Sequence, residues 1–425
     1  MTLRPLHAVL VERATPRLVE LLAAALDGSG PAILPLDAGL PAGRLAGLIG
    51  TLGPGSIEDA EGVSTIRSGL NEGVAEGTAV VVGTSGSTGA PKGVELSAAA
   101  LRYSARASLD RVGARPGERW LCCLPVTHVA GLQVLVRSLV SGTEPVLAGR
   151  ADAETVAASG CAHVSLVPTQ LQRLLEADID RSTPLAGFSS VLLGGAAAPP
   201  GLLAAARAAG VPVVTTYGMT ETCGGCVYDG VPLDGVRVQV RDDDEAQGRI
   251  WIGGPVLFSG YRPPGGYGGA GSPPVRGGSR GVAPPDDRVF FRTGDLGRLD
   301  ASGRLTVRGR ADDVINTGGH KVVPGEVAAA LQDCPGIREV AVLGQSDPEW
   351  GERVVAVVAP ADPADPPGLE LLRLHVRRRL PRYAAPSRVV MVDAVPMLPS
   401  GKHDIVRLRL ELLRREQTEA ENVTL

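Results

Sequence analysis

The sequence predicts an α/β protein with a large N-terminal domain and a small C-terminal α+β domain. The chain has 425 residues, of which 44% are apolar and 21% are charged, so more than one buried core can form. Short β-branched runs alternate with alanine- and leucine-rich stretches before residue 260, a pattern typical of parallel α/β layers. From about Asp312, two helical segments flank one apolar strand, which favours a separate α+β unit.

Each element follows from its local composition. Concentrations of β-branched residues predict parallel strands at 78–83, 162–168, 190–195 and 212–218. Apolar runs with tight turns predict a small antiparallel β subdomain at 249–254, 290–300 and 303–310. The C-terminal part is predicted to contain helices at 324–334 and 368–380 and a strand at 354–360.

One segment of the sequence is predicted to form no regular secondary structure. The chain contains 56 glycines and 34 prolines, and residues 263–287 are especially rich in both. Proline can neither pair in a central strand nor continue a helix, so this segment is predicted to be a disordered surface loop.

Charge and hydropathy exclude several classes of partner. The 42 basic and 46 acidic residues nearly balance, and no basic patch predicts nucleic-acid binding. No run of about 18 apolar residues predicts a membrane span, and the N-terminus does not resemble a signal peptide, so we expect a cytoplasmic protein. Six cysteines form no disulfide framework, and Cys223 and Cys226 lack the second pair that a zinc site needs, so reduced thiols are expected.

The segment 84–93, TSGSTGAPKG, has the composition of a phosphate-binding loop. Its glycines let backbone N–H groups converge on an anion, its hydroxyls donate hydrogen bonds, and its lysine adds a positive charge. The residues concerned are Thr84, Ser85, Gly86, Ser87, Thr88, Gly89 and Lys92. Lys92 is followed by Gly93 rather than by serine or threonine, so the loop is not a nucleotide-hydrolase P-loop. A flexible surface turn is the alternative.

The segment 217–222, YGMTET, ends a predicted strand, where open α/β sheets bind ligands. Glu221 is therefore a candidate metal ligand. The alternative is a solvated or capping carboxylate, because Thr220 and Thr222 also suit the start of a helix.

Taken together, the motifs resemble those of the acyl-adenylate-forming enzymes. They occur in that superfamily's order at 84–93, 217–222, 292–297, 309–313, 316–327 and 396–402. The segments 124–142 and 216–236 further resemble the o-succinylbenzoate–CoA ligases of menaquinone synthesis, particularly the compact actinobacterial type. The resemblance implies an α/β adenylate-forming domain over 1–310 and a mobile C-terminal domain over 311–425. It also implies an ATP-dependent ligase that makes o-succinylbenzoyl-CoA, AMP and pyrophosphate through an acyl adenylate, with Mg²⁺ as cofactor and ATP and coenzyme A as co-substrates.

The resemblance also implies roles for individual residues around the nucleotide. The 84–92 loop would hold the β- and γ-phosphates, Thr220 the α-phosphate and Glu221 the Mg²⁺. Lys402 would stabilise charge between the acid and the α-phosphate, as the leading catalytic residue. Asp295 would bind the ribose, Arg310 would be a second ligand of the ribose or of a phosphate, and Tyr217, Gly195 and Ala196 would lie against adenine. Taken singly, Asp295 is equally a turn residue, Arg310 a surface ion pair and Tyr217 a core aromatic.

The thioester-forming step would use a second set of residues. The resemblance implies that the C-terminal domain rotates about Asp312, which brings the coenzyme A loop of Gly319, His320 and Lys321 to the site. A plain turn is the alternative for Gly318 and Gly319.

The acid pocket is the least specified part of the site. His128 matches a family position between this pocket and the coenzyme A tunnel, although a lone histidine is usually structural. Gly194, Gly224, Gly225 and Val227 would line the width of the pocket. Gln133 and Arg137 lie four residues apart on a predicted helix and could reach a distal carboxylate; Arg137 could equally be a surface residue.

Other functions stay open. They are a ligase for another aryl or medium-chain acid, a carrier-protein-loading adenylation domain, and a nucleotide-binding module whose catalysis has decayed. A homodimer is a family-level expectation.

Overall fold

The structure, a computed structural model, describes residues 3–65, 73–85, 91–177, 184–242, 248–262, 289–397 and 403–423. Several sequence-predicted features lie outside these ranges, namely the segment 263–287, Gly86, Ser87, Thr88, Gly89 and Lys402.

The described strands are numbered in chain order. In the first 150 residues they are β1 (Leu3–Val11), β2 (Ala32–Asp37), β3 (Ser56–Asp59), β4 (Gly62–Thr65), β5 (Gly73–Ala75), β6 (Thr78–Ser85), β7 (Pro91–Ser97), β8 (Trp120–Cys122) and β9 (Val146–Leu147). Up to residue 310 they are β10 (His163–Leu166), β11 (Ser190–Leu193), β12 (Val213–Met219), β13 (Gly224–Tyr228), β14 (Val231–Pro232), β15 (Arg237–Arg241), β16 (Arg249–Gly253), β17 (Gly260–Arg262), β18 (Phe290–Leu299) and β19 (Leu305–Arg310). The remaining strands are β20 (Ile315–Thr317), β21 (His320–Val322), β22 (Ile337–Asp347), β23 (Gly351–Pro360) and β24 (Arg388–Met391).

The helices begin and end at residues suited to those positions. Thr15 and Ser97 accept a hydrogen bond from the first turn of their helices, and glycines in the left-handed conformation end four of the described helices. The α-helices are α1 (Pro16–Asp27), α2 (Ala42–Leu52), α3 (Ala98–Val112), α4 (Val129–Ser141), α5 (Ala153–Ala158), α6 (Pro168–Glu176), α7 (Pro200–Ala208), α8 (Pro324–Gln332), α9 (Leu369–Arg377) and α10 (Ile405–Val423). Short 3₁₀ helices span Pro184–Gly187, Thr220–Thr222 and Arg382–Ala384.

Two large mixed sheets form most of the N-terminal part. The first has the order β17-β7-β6-β2-β1-β3-β4, with β5 beside β1, and the second has the order β14-β13-β12-β11-β10-β8-β9. Parallel pairs join β10 to β11 and β11 to β12, as predicted, and β6 also pairs in parallel with β2. By contrast, β6 and β7 form an antiparallel hairpin around the 84–93 segment, because the loop joins neighbouring strands directly. The main core lies between these sheets and includes buried residues of α1, α3 and α4.

Two smaller sheets follow. Strands β15, β16, β18 and β19 form the predicted antiparallel subdomain. Strands β20 to β24 form a separate sheet, with α8 and α9 packed on one apolar cluster and α10 on another.

The α/β prediction with a second α+β unit is confirmed. The chain passes from the sheet of β19 to the sheet of β20 between Arg310 and Ile315, and the domain boundary at 310/311 stays a prediction. Among the described residues no helix is long and apolar enough to cross a membrane.

Candidate active site

The candidate site begins where β11 and β12 end side by side at the carboxyl edge of the second sheet. Thr216 donates a hydrogen bond to the Leu193 carbonyl at 3.3 Å, which holds the two strand ends together. A Cβ atom at Gly194 would lie 2.3 Å from the Thr216 hydroxyl oxygen, so only glycine fits there. Gly195 and Ala196 follow as exposed residues, which leaves their backbone open to a planar ligand.

Tyr217, Asp295 and Arg310 form a connected polar group. The Tyr217 hydroxyl donates to Asp295 Oδ2 at 2.8 Å, and Arg310 Nη1 donates to Oδ1 at 3.3 Å. Asp295 and Arg310 face each other on β18 and β19, which fixes their separation. Burial and the adjacent Asp295 carboxylate raise the pKa of Tyr217, so the phenol keeps its proton and remains a donor. Asp295 therefore contacts both of the other residues that are predicted to lie near the nucleotide.

Glu221 lies in the 3₁₀ turn that follows β12, and one carboxylate oxygen is held by a neighbour. Tyr261 on β17 donates its hydroxyl proton to Glu221 Oε1 at 2.7 Å. Burial raises the pKa of Tyr261, so its hydroxyl also stays protonated. Sequence reasoning missed Tyr261, because nothing in its local pattern links it to a residue 40 positions earlier.

The phosphate-loop hairpin lies beside this turn. Thr84 donates its hydroxyl to the Lys92 carbonyl at 3.3 Å, which closes the described ends of the loop. The exposed Lys92 ammonium lies 5.6 Å from the centroid of the Tyr261 ring. Thr220, in the same 3₁₀ turn as Glu221, is half-buried. The described ends of the predicted phosphate loop therefore lie next to the candidate metal ligand.

The donor set fits a magnesium ion carried by a nucleotide. No cluster of three or more candidate metal ligands occurs among the described residues, so this part of the chain has no complete protein cage. Mg²⁺ is usually held by one or two carboxylates together with substrate phosphates and water. Of the described side chains, only Tyr261 hydrogen bonds to the Glu221 carboxylate, and it does so at Oε1. One carboxylate beside the predicted phosphate loop fits this mode of Mg²⁺ binding.

Helix α4 carries the predicted acid-pocket residues. His128 is exposed at its N-cap, and Gln133 and Arg137 lie on its buried face. Gln133 Nε2 donates to the Cys223 carbonyl at 2.7 Å, whereas its Oε1 is buried without a partner in the described structure. A Cβ atom at Gly224 would lie 3.3 Å from Gln133 Cγ, so α4 packs closely against the start of β13.

Arg137 is a buried cation rather than a surface residue. Only 5% of the residue is exposed, so the surface alternative is wrong. Its guanidinium lies 4.2 Å from the Trp120 ring centroid and donates to the Ser165 hydroxyl at 2.8 Å, while Nε has no partner. Burial lowers the pKa of Arg137. No described carboxylate pairs with it, although an isolated buried charge is costly.

The other predicted pocket residues lie on β13. Gly225 is half-buried opposite Gly218, and a Cβ atom there would lie 3.0 Å from the Tyr228 ring. Val227 is buried opposite Tyr217 and belongs to the core between the sheets. Their contact with a substrate stays a prediction.

The C-terminal unit carries the predicted hinge and coenzyme A residues. Asp312 is exposed between β19 and β20 and accepts a hydrogen bond from Arg310 at 3.4 Å. Gly318 and Gly319 form the left-handed turn between β20 and β21. His320 is exposed and stacks on Tyr383 with a centroid distance of 4.1 Å, and Lys321 is exposed beside it. Met397 and His403 form a β-bridge that brackets the segment containing Lys402.

Comparisons with known proteins define the class. Residues 67–262 match the AMP-binding enzyme family and residues 326–402 match its C-terminal domain. A probable 2-succinylbenzoate–CoA ligase of Mycobacterium tuberculosis is 45% identical over 365 residues, which cover 83% of this chain and 88% of that protein. The chain belongs to the AMP-binding enzyme family.

Within that family the resemblance to o-succinylbenzoate–CoA ligases is confirmed. The chain is similar to o-succinylbenzoate CoA synthetase of Bacillus subtilis in complex with the acyl-adenylate intermediate, with a TM-score of 0.77 and 26% identity over 96% of this chain and 88% of that one. The structure of the same synthetase with ATP and a magnesium ion gives a TM-score of 0.76 and 26% identity, over 94% and 88% of the two chains. These likenesses also confirm the adenylate-forming fold.

The cysteines near the site are buried packing residues. All six are free and buried, and burial raises the pKa of Cys122 to about 12 and of Cys226 to about 12. Burial raises the pKa of Cys223 as well. Thiolate is the reactive form, so raised pKa values and burial both oppose thiol chemistry.

We therefore expect the folded protein to show no rapidly reacting thiol. With a chromogenic disulfide reagent at pH 8, we expect no fast phase in buffer, and all six thiols to react once guanidinium unfolds the chain. A fast phase in buffer would contradict this result, and its loss in a Cys223→Ser variant would assign it to Cys223.

Proposed function

We propose that this chain is an ATP-dependent acid–thiol ligase that converts o-succinylbenzoate and coenzyme A into o-succinylbenzoyl-CoA, AMP and pyrophosphate in menaquinone synthesis. The observation that carries this proposal is the connected Tyr217–Asp295–Arg310 group. It lies in a chain that is 45% identical to a probable 2-succinylbenzoate–CoA ligase.

The nucleotide would bind across the carboxyl edge of the second sheet. Asp295 would accept hydrogen bonds from the ribose hydroxyls, with Arg310 beside it, and Tyr217 and the exposed backbone of Gly195 and Ala196 would lie against adenine. Glu221 and the phosphates together would hold Mg²⁺, which supplies positive charge that reduces repulsion between the acid and the triphosphate. Thr220 and the 84–92 loop would bind the phosphates.

The first half-reaction joins two anions. A carboxylate oxygen of the acid attacks the α-phosphorus, the bond from that phosphorus to the bridging oxygen breaks, and pyrophosphate leaves with the electron pair. Lys402 would stabilise the negative charge that develops on the α-phosphate oxygens. In the second half-reaction, the coenzyme A thiolate attacks the acyl carbon and AMP leaves. Asp312 would be the hinge between the two steps, and Gly319, His320 and Lys321 would guide the thiol.

The second carboxylate of o-succinylbenzoate would be the counter-ion of the buried Arg137 guanidinium. Arg137 is a cation without a described counter-ion, and an acid with two carboxylates would supply one. Gln133 lies one helical turn before it, but its Nε2 already donates to the Cys223 carbonyl and its Oε1 can only accept, so the charge of Arg137 carries this argument. A fatty acid carries no second charge for this end of the pocket, so Arg137 favours the dicarboxylic aromatic substrate over a medium-chain acid.

The test of function is pyrophosphate release from ATP and Mg²⁺ with a panel of acids. We expect turnover with o-succinylbenzoate that requires coenzyme A for multiple cycles, and little turnover with benzoate, octanoate or mixed amino acids. Activity with another member of the panel would keep the ligase chemistry and reject the proposed acid. Silence with every acid, despite ATP binding, would favour the nucleotide-binding module.

Arg137→Gln tests recognition of the distal carboxylate. We expect KM for o-succinylbenzoate to rise roughly 10- to 100-fold, as for a lost charge-assisted hydrogen bond, while KM for ATP changes little. The variant should also lose the preference for o-succinylbenzoate over benzoylpropionate, which lacks the second carboxylate.

Arg111→Gln is the matched control, because Arg111 bonds only backbone carbonyls of Val231 and Pro232 in the described structure. An unchanged preference in the Arg137 variant, with a normal melting temperature, would reject the assignment.

Lys402→Ala tests the division between the half-reactions. We expect adenylate formation, measured by pyrophosphate–ATP exchange, to fall at least about 100-fold, because charge on the α-phosphate loses its partner. Thioester formation from supplied acyl adenylate should persist. Lys321→Ala should show the opposite pattern. Equal losses in both steps for Lys402→Ala would contradict the domain-rotation scheme.

A further inference from the structure

Tyr261 occupies a position between two charged residues of the proposed nucleotide site. It lies at the middle of the three-residue strand β17, opposite Val94 on the strand that leaves the phosphate loop. Its hydroxyl is 2.7 Å from Glu221 Oε1, and its ring centroid is 5.6 Å from Lys92 Nζ. One side chain therefore contacts both the candidate metal ligand and the candidate phosphate-binding cation.

The backbone that carries Tyr261 is held firmly on both sides. The next residue, Arg262, has a fully buried side chain that donates to the Leu52 carbonyl at 2.5 Å and the Gly73 carbonyl at 2.8 Å. It also forms a buried ion pair with Glu95 at 3.5 Å. Because these partners belong to β5, β7 and the end of α2, β17 is fixed to three parts of the first sheet and its flank.

Phe258 fixes the relation between Tyr261 and Glu221. The Phe258 backbone N–H donates to the Glu221 carbonyl at 2.9 Å. Its ring packs edge-on against the Tyr261 ring with a centroid distance of 4.9 Å. The tyrosine ring is thus held by Phe258 at the same place where the Glu221 backbone is anchored. This arrangement leaves the hydroxyl little freedom to turn away from the carboxylate.

The bond to Oε1 has a consequence for the other carboxylate oxygen. A glutamate side chain has three rotatable bonds, and a metal ligand must hold one orientation to bind well. A phenol donating to Oε1 fixes the carboxylate plane while leaving Oε2 without a described hydrogen-bond donor. The neighbouring ammonium of Lys92 rests near the ring and forms no ion pair with a described carboxylate.

We propose that Tyr261 is a positioning residue that orients Glu221 for the magnesium–nucleotide and keeps Lys92 from pairing with it. The proposal rests on the proposed function, because that function assigns Mg²⁺ to Glu221. Without the tyrosine hydroxyl, the carboxylate could turn toward the ammonium, and nucleotide binding would then have to separate an ion pair. In this proposal Tyr261 acts on the nucleotide through its hydrogen bond to Glu221.

The experiment compares Tyr261→Phe with wild type by calorimetric titration of ATP, once with saturating Mg²⁺ and once with EDTA. We expect the ATP dissociation constant with Mg²⁺ to rise roughly tenfold, as for a lost hydrogen bond to a charged group, and the constant in EDTA to stay within about twofold. The Mg²⁺ concentration that gives half-maximal pyrophosphate release should rise in parallel, with KM for the acid unchanged.

Tyr103→Phe is the matched control, because the Tyr103 hydroxyl donates to the Asp234 carbonyl at 3.3 Å, away from Glu221. It should leave both dissociation constants at the wild-type values. Glu221→Gln combined with Tyr261→Phe should bind Mg²⁺–ATP no more weakly than Glu221→Gln alone, because both changes act on one interaction.

Equal weakening of ATP binding with Mg²⁺ and with EDTA would overturn the proposal, since Tyr261 would then only support packing. Additive effects in the double variant would overturn it as well. Calorimetry requires no turnover, so these outcomes are separate from the failure of the proposed function, which is silence of wild type with every acid.

Discussion

The shared carboxylate of Asp295 is the interaction on which the rest of the candidate site depends. Tyr217, on β12 of the second sheet, donates a hydrogen bond to Asp295 Oδ2. Arg310, on β19, donates one to Asp295 Oδ1. The residue is only 9% exposed, and a buried carboxylate is stable when donors surround it. The pairing aligns the large sheet, the small β subdomain and the start of the C-terminal unit around one point. The acceptor proposed for the ribose hydroxyls is therefore held in a fixed position by its two donors.

The charged residues at the two ends of the candidate site have different surroundings. At the nucleotide end, Glu221 and Lys92 are both neighbours of Tyr261, so opposite charges lie close without a described bond between them. At the acid end, Arg137 lies under Trp120 with one hydroxyl partner and no described carboxylate. Both ends thus keep charge available for a ligand instead of neutralising it internally. Such preorganisation reduces the stability of the empty protein in exchange for binding and catalysis.

Sequence reasoning was strongest where local composition decides structure. The strands at 78–83 and 212–218 and the helix at 324–334 are all present, with ends shifted by a few residues. The order of the motifs was enough to name Tyr217, Glu221 and Asp295 as candidate site residues from the sequence alone. Tyr261 and Arg262 were missed, because their partners lie 40 to 210 positions away and their strand has three residues. The burial of Arg137 could not be predicted either, because a helical pattern does not show which sheet packs over this residue.

Arg310 connects the predicted ribose-binding residue to the predicted hinge. In the structure it contacts Asp295 at 3.3 Å and Asp312 at 3.4 Å, so it spans the last strand of the β subdomain and the start of the linker. The Asp312 partner is 61% exposed, and exposed ion pairs contribute only about 0–1 kcal/mol. Asp295 is far less exposed, so that contact is the stronger of the two. The predicted hinge is therefore held weakly, while the carboxylate proposed to bind the ribose is held strongly. In the proposed scheme, a C-terminal domain that turns about Asp312 releases the weak contact without disturbing the proposed nucleotide site.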